Sequence, residues 1–388
     1  MSGTGLNGAG MSTARPILIA AGGTGGHVFP ARALGEALAA RGQAHAFVSD
    51  ARGQGFGETG PVHRIAAGTP ATGRAAALIA IARGVIGAQA LIRRLDPSVV
   101  VGFGGYPTVP PLIAARLTGR AIVLHEQNAR IGRANRRFAG HAAAIATGFA
   151  ALDGLPPGVT GIPVGNPVRP AIAAAAKAAG MGASYMPPDA TDGPIRLVVT
   201  GGSQGARVMG TLVPEALALL PAALRHRLQV VLQARAEDLD AARKRLDEAD
   251  IEARCESFIA DLPDHLAAAH LCIARAGAST CAELAAIGRP AILLPYPSAM
   301  DDHQSANAAV LARAGAAVVA PERGLKADDL ARQIARLLAA PDRLAAMAVA
   351  ARDLAHDDAA ERLAEIVLAV AATGTARRPR PELKGIAA

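Results

Sequence analysis

The stretch Pro16-Ile-Leu-Ile-Ala-Ala-Gly-Gly-Thr-Gly-Gly-His27 decides the fold class. A short run of apolar residues, 17–21, ends in a glycine-rich turn and leads into an Ala- and Leu-rich helical stretch. A strand apolar at every position has no face to give to water, so it belongs in a parallel sheet covered by helices on both sides. The pattern recurs. Apolar runs at 44–49, 99–101 and 121–124 alternate with longer Ala-rich stretches. It breaks over 171–194, where Met-Pro-Pro and Asp-Gly-Pro read as linker chemistry. It then restarts with runs at 195–200, 228–233, 271–274, 291–294 and 317–319. The second half opens as the first does, with Gly201-Gly-Ser-Gln-Gly205 after its first strand. The expectation is an α/β protein of two Rossmann-like, doubly wound parallel-sheet domains facing across a cleft. Ligands in such folds bind outside the carboxyl ends of the strands.

The predicted organisation is a disordered extension over 1–14, an N-terminal domain over 15–170, a linker over 171–194 and a C-terminal domain over 195–351. A last helix over 352–372 is expected to pack back on the N-terminal domain, followed by a basic tail over 373–388. At 388 residues, two or three domains are the natural count. Hydrophobic residues at 51% and charged residues at 19% exclude a disordered chain. Aromatics at 3% with no Trp argue against base- or sugar-stacking platforms. Cys255, Cys272 and Cys281 form no C-x-x-C pair and no disulfide framework, which predicts a reducing compartment and no structural zinc. No signal peptide is read at the N-terminus. The net charge of +8 suits an anionic partner, and the absence of a basic-aromatic motif speaks against nucleic acid.

A glycine turn between strand and helix lets backbone N–H groups approach a phosphate. Neither glycine loop meets the G-x-G-x-x-G pattern, since aligning Gly23 and Gly25 puts Val28 third, and neither continues into Gly-Lys-Ser/Thr. Asp50, ending the second strand, imitates the ribose-binding acid of a dehydrogenase and keeps that alternative open. His27 follows the first loop at the start of a helix in which Pro30 suits the first turn. A helix N-terminus disfavours an imidazolium, so a neutral ring there can accept a proton as a general base.

Six motifs then occur in one order: Gly22-Gly-Thr-Gly-Gly-His27, Gly102-Phe-Gly-Gly-Tyr-Pro107, His125-Glu-Gln-Asn128, Gly165-Asn-Pro-Val-Arg169, Gly201-Gly-Ser-Gln-Gly-Ala206 and Arg275-Ala-Gly-Ala-Ser-Thr280 with Glu283. Together they resemble the MurG family of bacterial N-acetylglucosaminyltransferases, from about residue 16 to residue 370. The resemblance implies a GT-B fold and inverting transfer of N-acetylglucosamine from UDP-N-acetylglucosamine to the 4-hydroxyl of N-acetylmuramic acid in lipid I (undecaprenyl-pyrophosphoryl-N-acetylmuramoyl-pentapeptide). The products are lipid II and UDP. The alternative is a GT-B transferase that uses a UDP-sugar with another acceptor.

By that resemblance, His27 is the catalytic base, and Thr24, Gly25 and Gly26 belong to the donor-binding set with Asn128 on the facing domain. Ser203 and Arg169 meet the diphosphate, with Ala278, Ser279 and Thr280 beside it. Ile259 contacts uracil, Glu283 the ribose and Gln304 the sugar hydroxyls. Glu126 is a secondary candidate for the base, and Asn307 reads as a residue that caps or braces a helix. No cofactor or metal is expected, because Asp301-Asp302 is adjacent and lacks the spacing of Asp-x-Asp. The Arg275-Ala-Gly-Ala-Ser-Thr280 motif departs from the family pattern after Arg275, where the family often has Ser or Gly, and after Ala278, where it often has a bulkier residue; small side chains there keep backbone contacts and are expected to loosen the sugar pocket.

A polyprenyl acceptor requires access to the bilayer. Residues 74–94 offer Leu78, Ile79, Ile81, Val85 and Ile86 flanked by Arg74, Arg83, Arg93 and Arg94. That combination suits shallow insertion beside anionic headgroups. Peripheral binding at the cytoplasmic face of the inner membrane is the resulting expectation.

Overall fold

The computed structural model describes residues 15–23, 25–51, 55–56, 59–67, 74–182, 185–189, 192–202 and 205–373. The expected extension over 1–14 and the tail from 374 onward lie outside them. The first sheet holds β1 (Ile17–Ala20), β2 (His45–Ser49), β3 (Val62–Arg64), β4 (Val99–Gly102), β5 (Ala121–Glu126), β6 (Ala144–Thr147) and β7 (Ile162–Pro163). Their spatial order is β3-β2-β1-β4-β5-β6-β7, and every pairing is parallel. The second sheet holds β8 (Ile195–Thr200), β9 (Leu228–Gln233), β10 (Glu252–Glu256), β11 (Leu271–Ala274), β12 (Ala291–Leu293) and β13 (Ala317–Val319). Its order is β10-β9-β8-β11-β12-β13, again parallel throughout.

Alternation along each strand explains both sheets. Ile17, Ile19, Phe47, Val99, Val101 and Val123 enter one core layer, while Leu18, Ala20, Val48, Val100, Ile122 and Leu124 enter the layer on the opposite face. In the second sheet, Ile195, Leu197 and Val199 pack on one side and Val198 on the other. Successive side chains point to opposite faces, so a strand buried on both must be apolar throughout. The apolar pattern did not reveal β3, β6, β7 and β10. β3 and β10 are edges with exposed charged residues, two-residue β7 is also an edge, and β6 is an inner strand of only four residues.

Winding reverses direction at β1, which lies between β2 and β4, and at β8, which lies between β9 and β11. Such a switch point leaves a crevice beyond the strand ends. The register is level there, with Ala20 opposite Gly102 and Thr200 opposite Ala274. The glycine loops after β1 and β4 therefore meet in one half, and those after β8 and β11 meet in the other.

The segment read as a linker, 171–194, opens with a helix, Pro170–Gly182, whose Ile172 and Ala176 pack into the core of the second half. The end of the chain differs from one continuous helix over 352–372. A helix ends at Asp353, and the last one runs Ala359–Thr373. Between them Arg352 donates to Asp357 at 2.8 Å and to the Ala286 carbonyl at 2.7 Å. Leu363, Ala364, Val367 and Val370 of the last helix sit in the core of the first half. At that turn Gly165 (φ 88°) allows close approach: a Cβ there would stand 2.3 Å from His356 Cβ.

Candidate active site

His27 is the third residue of the Gly25–Ala40 helix. Because that helix starts at Gly25, Pro30 is its sixth residue and lies inside it, contrary to the first-turn placement. Proline has no N–H, so the Gly26 carbonyl loses its helical donor. Gly104 (φ 82°) and Gly105 (φ 76°) bring backbone against the imidazole. A Cβ on either would lie 3.4 Å from a carbon of the His27 ring. The two switch-point loops of the first half thus form one wall around this side chain. Burial pushes the His27 pKa down, opposed by the Glu126 charge, the Phe103 carbonyl and the Gln127 side chain. Nδ1 is buried without a hydrogen-bond partner among the described residues. The lowered pKa favours a neutral imidazole, the form a general base requires.

The neighbouring candidates are differently committed. His125 is fully buried; its Nε2 meets the Gly165 carbonyl at 3.2 Å and its Nδ1 meets Gln127 Nε2 at 3.2 Å. Burial pushes its pKa to about 4. With both nitrogens occupied, its role is structural. Glu126 accepts from the Asn128 N–H and Nδ2, both at 3.1 Å, through Oε1. Its Oε2 accepts from Gly132 N–H and Asn135 Nδ2, both at 2.9 Å. Four donors fill the acceptor capacity of a carboxylate. Glu126 therefore organises Asn128 and the loop beside it.

On the second half, the β11 loop runs into the Ala278–Ile287 helix, whose cap is Gly277 with no side-chain hydrogen bond. Ala278, Ser279 and Thr280 make up its first turn, and the first helical bond found there is Cys281 N–H to the Gly277 carbonyl at 2.9 Å. The preceding N–H groups and the positive dipole end therefore face outward for an anion. The loop after β8 offers less, because the helix that follows it, Arg207–Gly210, has only four residues. Its dipole contribution is correspondingly small. Thr24 and Ser203 lie outside the described residues.

Glu283 is buried on the Ala278–Ile287 helix. Arg169 reaches it from the first half, with Nε to Oε1 at 2.8 Å and Nη2 to Oε2 at 3.1 Å. The same guanidinium lies 5.5 Å from the centre of the Phe29 ring. Burial pushes the Glu283 carboxyl up, and Arg169 pulls it back. Gln304, in the first turn of the His303–Arg313 helix, accepts from the Tyr296 N–H at 2.9 Å. Buried Arg275 holds that region by pairing with Glu322 at 2.5 Å and donating to the Leu294 carbonyl at 3.0 Å. Ile259 is buried just beyond β10.

The chain's two halves match two domain models in order. Residues 17–147 match the glycosyltransferase family 28 N-terminal domain, and residues 196–363 match the family 28 C-terminal domain. The chain belongs to glycosyltransferase family 28. One relative is the UDP-N-acetylglucosamine–N-acetylmuramyl-(pentapeptide) pyrophosphoryl-undecaprenol N-acetylglucosamine transferase of Methylobacterium sp. (strain 4-46). It is 49% identical over 378 residues, covering 95% of this chain and 100% of the relative. The like-named transferase of Granulibacter bethesdensis is 48% identical over 381 residues, covering 96% and 97%. Among solved structures, MurG of Acinetobacter baumannii aligns with a TM-score of 0.74 and 27% identity, over 92% of this chain and 99% of that one. The spinosyn forosaminyltransferase SpnP, at 16% identity and TM-score 0.63, shares the fold. The fold is GT-B, and this family 28 chain is an N-acetylglucosaminyltransferase of peptidoglycan synthesis.

In the family 28 chain, His27, Gly25, Gly26 and Asn128 line the first half, while Ala278, Ser279, Thr280, Glu283 and Gln304 lie on the second. Arg169 bridges them. Ile259 stands apart at the end of the sheet edge strand β10. Sequence reasoning undervalued Asn307, which contacts the first half directly, and missed the Arg133–Asp301 pair, with contacts of 2.8 to 3.0 Å. Each joins residues more than 160 positions apart, so no local spacing announces it.

Proposed function

We propose that this chain transfers N-acetylglucosamine from UDP-N-acetylglucosamine to the 4-hydroxyl of the N-acetylmuramic acid of lipid I, producing lipid II and UDP. The observation that carries this reading is the near-half identity, over the whole length, to transferases whose names state that donor and acceptor. The site supports it. The acceptor hydroxyl attacks the anomeric carbon, the bond from that carbon to the UDP oxygen breaks with its electron pair, and the hydroxyl proton passes to neutral His27. The configuration inverts. The charge released on UDP falls at the open N-terminus of the Ala278–Ile287 helix, with Arg169 beside it. By the family resemblance, Thr24, Gly25, Gly26 and Ser203 take part in donor binding. Glu283 accepts the ribose hydroxyls once Arg169 turns to the diphosphate. Gln304 reads the sugar through Nε2, since Oε1 is held by Tyr296. Ile259 supplies an apolar contact to uracil.

Membrane contact belongs to the Arg74–Leu95 helix. Its 76–95 portion is the one helix among the described residues long and apolar enough to cross a membrane, and only about a fifth of it is buried in the protein. Ala88, Leu91 and Ile92 pack into the first half, which fixes the helix along the domain. Leu78, Ile79 and Ile86 are 67%, 56% and 67% exposed. Arg83, Arg93 and Arg94 are exposed around them. An apolar face with basic neighbours suits shallow insertion into an anionic leaflet, which supports our reading of a peripheral enzyme on the cytoplasmic face.

The test is transfer from radiolabelled UDP-N-acetylglucosamine to a short-chain lipid I analogue. Lipid II-type product is expected. Tight donor binding without transfer to this acceptor would redirect the reading to a different acceptor.

A further inference from the structure

Asn307 lies fully buried in the middle of the His303–Arg313 helix. Its amide makes three long-range hydrogen bonds. Oδ1 accepts from the Ala129 N–H at 2.8 Å, and Nδ2 donates to Asn128 Oδ1 at 3.1 Å and to the Ala276 carbonyl at 3.0 Å. Two of these partners belong to the acceptor-side loop after β5, and the third to the donor-side loop that leads into Ala278. We propose that Asn307 is a positioning residue that couples the two loops across the cleft and so sets the geometry in which donor and acceptor meet. The proposal rests on the transferase reading above.

The physical argument starts from the cost of burying a primary amide. Such a group has one acceptor and two donor hydrogens, and leaving any of them unpaired in a dry site is unfavourable. Asn307 satisfies all of them only when the two halves stand in this arrangement. Opening the cleft strips Oδ1 and one Nδ2 hydrogen of their partners while the Ala276 bond remains within the second half. A side chain whose hydrogen bonding is complete in one domain arrangement biases the cleft toward that arrangement.

The bond network extends the consequence. Asn128 is held by Glu126, which also anchors Gly132 and Asn135, and Asn135 lies against the same wall as His27. A movement of the donor loop is therefore passed through Ala276, Asn307 and Asn128 to the surroundings of the base.

A second observation lies at the rim, at the start of the same helix. Arg133 grips both oxygens of Asp301 at 3.0 Å, and Arg130 donates to the Asp301 carbonyl at 3.1 Å. Asp301 and Asp302 have φ of 53° and 54°. Left-handed conformation in two consecutive residues with side chains is unfavourable and persists only where surrounding contacts impose it. The backbone entering the Asn307 helix is thus held toward the first half.

The test uses the full chain labelled at Arg116→Cys and Lys244→Cys, one exposed site in each half. Burial pushes the native Cys272 and Cys281 thiols up to about 12 and raises Cys255, so these three resist labelling. The inter-label distance, the UDP dissociation constant and kcat are measured for the parent, Asn307→Ala and isosteric Asn307→Asp. Asn307→Asp keeps the acceptor for Ala129 and sets a carboxylate against two oxygens. Expected are a longer, broader distance distribution and a kcat reduced about tenfold or more, the scale of one or two lost hydrogen bonds. UDP affinity should change less than about threefold. Distances and kcat within twofold of the parent in both variants would overturn the proposal. So would a kcat loss matched by an equal loss of UDP affinity, which marks a simple brace of the donor loop. A parent that binds UDP but makes no lipid II would sink the transferase reading, while the label distances still decide the coupling.

Discussion

Arg169 and Glu283, 114 positions apart, form a two-pronged ion pair across the cleft, with contacts of 2.8 and 3.1 Å. The carboxylate proposed to receive the ribose is therefore engaged by a guanidinium. On the proposed reading, ribose binding exchanges one partner for the other and frees the guanidinium for the diphosphate. Glu283→Ala should lower UDP affinity about tenfold to a hundredfold, the scale of charge-assisted hydrogen bonds lost from a buried site. Calorimetric titration with UDP checks this.

Removing Arg169 has a pH-dependent signature. Burial already raises the Glu283 pKa, and Arg169 opposes that rise. In Arg169→Ala the folded-state value climbs further above the unfolded one. The deficit of the variant should be smaller near pH 4.5 than at pH 7.5, because ionisation of the buried carboxyl becomes more costly to the fold as pH rises through and above the usual glutamate range. A deficit of about 2 kcal/mol at pH 7.5 is expected for an unpaired buried charge, below the full value because Arg169 is partly exposed. Urea unfolding at pH 4.5 and 7.5 measures it.

His27 must be neutral to take a proton, and burial lowers its pKa. The acidic limb of the kcat/KM profile should accordingly lie below pH 6.5. His27→Ala should lose about 10²- to 10⁴-fold in kcat with UDP binding retained. A variant of unchanged rate would remove His27 from the role of base.

His125 gives a separate stability prediction. It is neutral in the fold down to about pH 4, whereas the unfolded chain protonates near pH 6.5. Its lowered value means that stability is fully present above 6.5 and declines as pH falls toward 4. Between pH 6.5 and 5 the loss should be about 2 kcal/mol, from ~1.4 kcal/mol per pH unit. Chemical denaturation of the parent and of His125→Gln compares the slopes; the variant should lack this component.

Gly104→Ala or Gly105→Ala should cost about 1–2 kcal/mol for left-handed backbone and push the new methyl toward the His27 ring. A kcat loss near tenfold with unchanged UDP affinity is expected, since the donor half is untouched. Equal effects on both would mean that the loop shapes the donor site too.

The combined change Leu78→Ser, Ile79→Ser, Ile86→Ser should weaken sedimentation with anionic vesicles at least tenfold, because three exposed aliphatic side chains lose their apolar contact. UDP binding should persist. Undiminished vesicle binding would place the membrane face elsewhere.

Local pattern made much of this protein legible. The uninterrupted apolar runs at 17–20 and 271–274 mark strands covered on both faces, because period-two alternation leaves no polar side to disguise them. Edge strands β3 and β10 escaped because one exposed face lets them carry charge. His27 stood out as a candidate base from its place after a glycine turn, whereas Ala278 to Thr280, read as a loop beside the diphosphate, form the first turn of a helix. Hidden from sequence were the Arg169–Glu283 pair and the contact of Asn307 with Asn128, 179 positions away. Sequence alone determined most of the central strands, where the switch-point loops fall and which chemical groups those loops carry, because these depend on side-chain period and turn residues a few positions apart. Only the tertiary structure decided which groups meet across the cleft, which carboxylate is already paired and which imidazole is left with an unpartnered nitrogen. Those outcomes depend on burial and hydrogen-bond satisfaction between distant segments, and neither quantity exists until the two halves have packed.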